Sequence, residues 1–165
     1  FGFYRDNYIG QIRQKNKGND SWIEFFCTSR LAVQFDLAAD YLDKEERRKC
    51  QNLLDHLDKF LIEPAFPSLL HGDLWSGNFM PDSQGNPMLI DPAVYVGHHE
   101  ADLAMTELFG GFPPEFYDAY HEIIPREPGY ADRRDLYNLY HLLNHLNLFG
   151  SSYLAAVRRI VKRYM

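Results

Sequence analysis

The chain has 165 residues, 45% of them hydrophobic and 24% charged, with a formal net charge of −6, which suffices for one soluble domain with a sizeable core. No stretch combines clustered Lys and Arg with interleaved aromatics, which argues against a nucleic-acid surface, and no apolar run reaches the ~18 residues of a membrane span. Two cysteines, Cys27 and Cys50, have no close Cys or His neighbours, which argues against a zinc site and suits a reducing, cytoplasmic compartment.

Residues 1–19 are rich in Gly, Asn, Gln and Asp with scattered aromatics, which predicts an irregular segment. Ser21 followed by Glu24 has capping-box spacing, and Trp22, Phe25, Phe26, Leu31, Phe35, Ala38 and Leu42 approximate a helical stripe, predicting a helix over 22–41. Asp43 is the N-cap of a second helix, with Cys50, Leu53, Leu54, Leu57, Phe60 and Leu61 on its apolar face and an end before Pro64. Leu69 and Leu70, then Met88, Leu89 and Ile90, read as two short buried strands, with turn chemistry over 82–86 between them. Residues 93–97 read as a loop.

Glu100 and Asp102 complement the dipole of a helix that Gly110 and Gly111 stop, and Pro113 and Pro114 start another running to about Ile123. Asp132 is the expected cap of a helix carrying Leu136, Leu139, Tyr140, Leu143 and Leu146 up to Gly150, and a last helix spans 151–164. His141 and His145 have zinc-protease spacing, but Leu142 stands where that motif needs Glu, so they read as surface or helix-packing residues. His98 and His99 are adjacent at a helix entry, point in different directions, and do not read as a metal pair.

The chemistry concentrates between Leu69 and Pro92. His71-Gly72-Asp73 is followed by Asn78 five residues after the Asp, and a second apolar run ends in Ile90-Asp91-Pro92. This order follows the catalytic-loop and magnesium-Asp arrangement of kinases, with Gly72 and Pro92 as variations. Phosphoryl transfer to a hydroxyl needs a proton acceptor, for which Asp73 is the candidate, and hard oxygen ligands for magnesium, for which Asn78 and Asp91 are the candidates. His71 reads as a residue that holds the loop by hydrogen bonds, and Trp75 as packing or part of a substrate wall.

These residues carry a resemblance. Together with Asn7-Tyr8-Ile9-Gly10, Gln14, Asn16, Phe25-Phe26, Arg30-Leu31, Gly97, Glu100 and Asp102-Leu103-Ala104, the stretch from His71 through Leu74-Trp75-Ser76-Gly77 to Asn78 resembles the C-terminal lobe of the fructosamine (ketosamine-3-) kinase family. That resemblance implies an α+β, mainly α fold: the helical lobe of a protein-kinase-like enzyme, one domain over 1–165, with short strands around the catalytic loop. It implies ATP and Mg²⁺ as cofactors and phosphorylation of the 3-hydroxyl of small or protein-bound ketosamines, which destabilises the glycation adduct. It further implies Asp73 as catalytic base, Asn78 and Asp91 as metal ligands, His71 and Asp102 as supporting residues, and Gln14, Asn16, Trp75 and Tyr95 as sugar-pocket candidates. The family's N-terminal, nucleotide-covering lobe is not in this sequence, so the expectation is a lobe inactive by itself. It would self-associate through an apolar patch near Phe1, Phe3 and Tyr4. The rival readings are a kinase of another small hydroxyl compound, aminoglycoside or choline-like, and a non-catalytic interaction domain of the same fold.

Overall fold

In the computed structural model, which describes all 165 residues, the core gathers around Trp22. Phe1, Phe25, Phe26, Tyr95, His98 and Tyr137 surround its indole with ring centroids 5.1–6.4 Å away. Residues 1–19, expected to be irregular, contain a hairpin of β1 (Asn7–Ile9) and β2 (Ile12–Gln14). Ile9 pairs with Ile12 across the turn Gly10-Gln11, where Gly10 takes φ 57°. A glycine in a two-residue turn was the signal that the polar composition hid.

The first helical stretch is three pieces: α1 (Trp22–Phe26), a π-helical turn (Cys27–Leu31) and α2 (Ala32–Leu37). The buried positions Trp22, Phe25 and Phe26 continue as Arg30, Leu31, Gln34 and Phe35. The wider turn absorbs one extra residue and so keeps both halves of the stripe on the core. The Ser21 hydroxyl accepts from the Glu24 N–H at 3.1 Å, but Glu24 does not complete the box. Glu63 does that work from outside, its carboxylate accepting from the N–H groups of Trp22 (2.8 Å) and Ile23 (3.1 Å) and from the Ser21 hydroxyl (2.6 Å). Asp43 and Glu46 form a full capping box on α3 (Lys44–Leu54).

The two expected strands both exist, but neither is buried along its length. β3 (Ser68–Leu70) pairs antiparallel with β6 (Tyr95–Gly97), a strand in the segment expected as a loop, and β4 (Phe79–Pro81) pairs with β5 (Pro87–Leu89) across the predicted turn. Leu69, Met88 and Leu89 are exposed, as are Phe79 and Met80. Phe1 and Phe3 pack against the core, so of the three residues expected to form an apolar patch only Tyr4 is exposed, and these strands add exposed apolar side chains of their own.

Four helices complete the fold: α4 (Glu100–Leu108), α5 (Pro114–Ile123), α6 (Tyr130–Phe149) and α7 (Leu154–Arg163). The residue before α6 is Gly129 at φ 79°, not Asp132. α6 is the central helix, packed by α4, α2 and α7. A buried bidentate pair, Glu100 to Arg133 at 2.6 and 2.8 Å, locks α4 onto it. The architecture is mainly α, with three two-stranded antiparallel sheets, and no helix is long and apolar enough to cross a membrane.

Candidate active site

β3 delivers its C-terminal end to a loop held by contacts distant in sequence. The Asp102 carboxylate, from the first turn of α4, accepts from the backbone N–H of His71 (2.7 Å) and of Gly72 (2.9 Å). Burial pushes that carboxyl up to about 6, while the two N–H donors favour its ionised form. Gly72 sits at φ 80°, and a Cβ there would lie 2.1 Å from the Ala93 carbonyl oxygen, so only glycine passes between the loop and the segment after Asp91. The His71 ring spans the same gap. Its Nε2 donates to the Ile90 carbonyl at 2.9 Å, which leaves Nδ1 to accept the Asp73 N–H at 3.3 Å.

Asp73, Asn78 and Asp91 converge on one open cleft of about 460 Å³. Trp75, Asn144, His145 and the β1–β2 turn also line it. Asn78 is buried, and its amide donates to the Asp73 carbonyl (2.8 Å) and to Asp73 Oδ2 (3.1 Å). The amide Oδ1 is thereby left as an acceptor. Asp91 adopts φ 51°, the one non-glycine residue in the left-handed region, where backbone strain is commonly held at working sites. Burial pushes the Asp73 carboxyl up, with Asn78, His145 and His71 pulling it back down. Among the residues lining this cleft, the side-chain oxygens of Asn78 and Asp91 are the kind of hard ligand that suits a divalent cation such as Mg²⁺.

Trp75 lies over Gly77, where any Cβ would strike the indole at 2.2 Å, and meets the edge of Phe109 at 6.0 Å. That contact is a physical reason for the Trp-Ser-Gly order. Three of the expected sugar-pocket residues are placed elsewhere. Tyr95 is buried between Trp22 and Arg30, its ring 4.0 Å from the guanidinium. Gln14 and Asn16 are buried as well: Gln14 donates to Asn7 and to the Ala93 carbonyl, and accepts from the Tyr140 hydroxyl. Asn16 accepts from Arg30 at 2.7 Å. With the Asn7 amide on the Val94 carbonyl (2.7 Å), these residues prop the backbone that follows Asp91 and do not face the cleft.

Of the two α6 histidines, expected at the surface or in helix packing, His141 is buried and His145 is half-buried. His145 lines the cleft, its ring 4.8 Å from Phe109, and buried His141 stands 3.9 Å from Asp73. Their four-residue spacing was visible in the sequence, but the zinc motif was the wrong template for it. Arg30, fully buried among Phe25, Tyr95 and Tyr140, was read only as a family-like position.

A family model described as fructosamine kinase matches residues 1–165. The chain belongs to the fructosamine kinase family. Among family members, a candidate ketoamine kinase of Enterococcus faecium is 45% identical over 99% of this chain and 60% of its own length. The chloroplastic protein-ribulosamine 3-kinase of rice (Oryza sativa subsp. indica) is 45% identical over 100% of this chain and 48% of its own length. A crystal structure of a candidate fructosamine-3-kinase from Thermobifida fusca superposes with a TM-score of 0.90 at 36% identity, covering 99% of this chain and 58% of that one. The chain thus spans about half to three fifths of the length of these fructosamine kinase relatives.

Proposed function

We propose that this chain is the catalytic lobe of an ATP-dependent kinase of ketosamines, acting on a sugar hydroxyl of small or protein-bound adducts in the cytoplasm. The observation that carries the reading is the convergence of Asp73, Asn78 and Asp91 on one cleft. The acceptor hydroxyl lies against Asp73, which takes its proton as the oxygen attacks the terminal phosphorus. Desolvation raises the affinity of Asp73 for that proton, and Asn78 fixes the direction of the carboxylate. Asn78 Oδ1 and Asp91 hold Mg²⁺, which when bound offsets the charge of the nucleotide phosphates. Trp75 and His145 form an aromatic wall against which a sugar ring packs.

No Lys or Arg lines the cleft. In this reading phosphate charge beyond what magnesium meets falls to groups other than those lining the cleft, and the isolated chain turns over poorly. The exposed apolar strands β3, β4 and β5 favour self-association of that isolated form. The test is product formation from ATP and a ketosamine by the full-length protein, beside an aminoglycoside and choline. Asp73→Asn lowers turnover by about 10²–10⁴-fold with nucleotide affinity little changed. Near-normal turnover in that variant overturns the reading.

A further inference from the structure

His141 is nearly solvent-free, and its Nδ1 has no hydrogen-bond partner. That orphaned atom faces Asp73 Oδ1 at 3.9 Å, on the carboxylate edge opposite the one that receives the Asn78 amide at Oδ2. A buried polar atom without a partner loses its hydration for nothing, so its placement asks for a reason. Burial, with Arg30 and His145 nearby, holds the imidazole neutral, its pKa lowered to about 3. A neutral ring has one N–H and one lone pair. A lone pair on Nδ1 would face the lone pairs of Asp73, so the tautomer that fits carries its hydrogen on Nδ1.

We propose that His141 is a positioning residue for Asp73, its Nδ1–H steering the Oδ1 edge of the carboxylate toward the acceptor hydroxyl. The separation of 3.9 Å is too long for a hydrogen bond. Hydrogen bonds of catalytic groups are often long without substrate and tighten in the complex, and here the sliding of one carboxylate suffices. In the reaction, the hydroxyl O–H bond breaks and its proton goes to Asp73. The oxygen bonds to the terminal phosphorus, and the bond from that phosphorus to the nucleoside diphosphate breaks. His141 neither gains nor loses a proton. It keeps Asp73 from rotating while Oδ1, through its second lone pair, accepts the transferred one.

The inference rests on the proposed kinase reading, and the experiment separates the two. In the full-length protein, His141→Leu removes the donor, whereas His141→Asn places an amide N–H where Nδ1–H was. Expected are a kcat about 10–100-fold lower for the Leu variant with both KM values within about twofold, and recovery of most of the loss by Asn. In the Asp73→Asn background, His141→Leu then has no further effect on kcat. Equal kcat in the Leu and Asn variants, or a loss that only follows their thermal midpoints, overturns the role of His141. An inert Asp73→Asn beside a fully active His141→Leu also overturns it and leaves the kinase reading standing; a fully active Asp73→Asn overturns the kinase reading instead. Should His141→Leu fail to fold, the imidazole ¹⁵N shifts of the unaltered protein still decide, since protonation on Nε2 instead of Nδ1 refutes the proposal.

Discussion

Lowering the pH from 8 to 5 destabilises this chain by an amount that two buried histidines set. Burial depresses the pKa of both His98 and His141 from 6.5 to about 3. His98 has no access to solvent, and its Glu100 neighbour at 3.7 Å is already neutralised by Arg133. Both therefore stay neutral in the folded chain at pH 5, where the unfolded chain protonates them. A depressed folded pKa gives stability that is complete above the unfolded value and lost as the pH falls below it. Each histidine contributes a loss of RT ln(1 + 10^(6.5 − 5)), about 2 kcal/mol.

His99, also lowered by burial, acts in the same direction. Asp102 opposes them: its carboxyl, raised from 3.8 to about 6, takes up a proton in the folded state first and returns about 1 kcal/mol. The net loss from His98, His141 and Asp102 is about 3 kcal/mol. Urea titrations of the chain at fixed ionic strength, followed by the fluorescence of buried Trp22, measure it. His141→Asn, which does not titrate, shrinks the loss by about 2 kcal/mol. A stability that is flat or rising between pH 8 and 5, or a His141→Asn profile parallel to that of the unaltered chain, refutes the reasoning.

Arg133→Met leaves the Glu100 carboxylate buried beside His98 without its bidentate partner and lowers stability by about 3–5 kcal/mol; the double variant Glu100→Leu, Arg133→Met recovers most of it, as thermal or urea unfolding reports. In the full-length protein, Asp91→Ala abolishes magnesium-dependent nucleotide binding by calorimetry while His99→Ala preserves it, and the reverse ranking would move the metal to His98, His99 and Glu100.

That Asp73, Asn78 and Asp91 belong together was legible because loop chemistry is local: His71 to Asn78 and Ile90 to Pro92 are short runs whose spacing brings the three side chains to one cleft. Helix boundaries followed where caps are local too, as at Asp43 with Glu46. Failures came where a distant residue decides. Glu24 lost its capping role to Glu63, about forty positions away. β6 was missed because three residues, Tyr95–Gly97, have no periodicity of their own and become a strand only against β3. Burial of Leu69, Met88 and Leu89 was wrongly expected because hydrophobicity tells which residues favour the interior, not which ones this chain covers. Gln14 and Asn16 were sugar-pocket candidates through the family resemblance alone, and their partners, the Ala93 carbonyl and the Arg30 guanidinium, lie away from the cleft and mark the two as struts.

Those struts bear on the order in which the molecule assembles. The contacts that shape the cleft join positions far apart: His71 to Asp102 across 31 residues, Gln14 to Ala93 across 79, Asn7 to Val94 across 87, and Tyr140 to Gln14 across 126. Closing such long loops comes late, after helices have formed from local contacts. On the ribosome, Gln14 waits for Tyr140 until most of the chain has been made. The backbone just after Asp91, held at Ala93 and Val94 by Gln14 and Asn7, is therefore among the last parts of this chain to settle, and the cleft beside it matures late in folding.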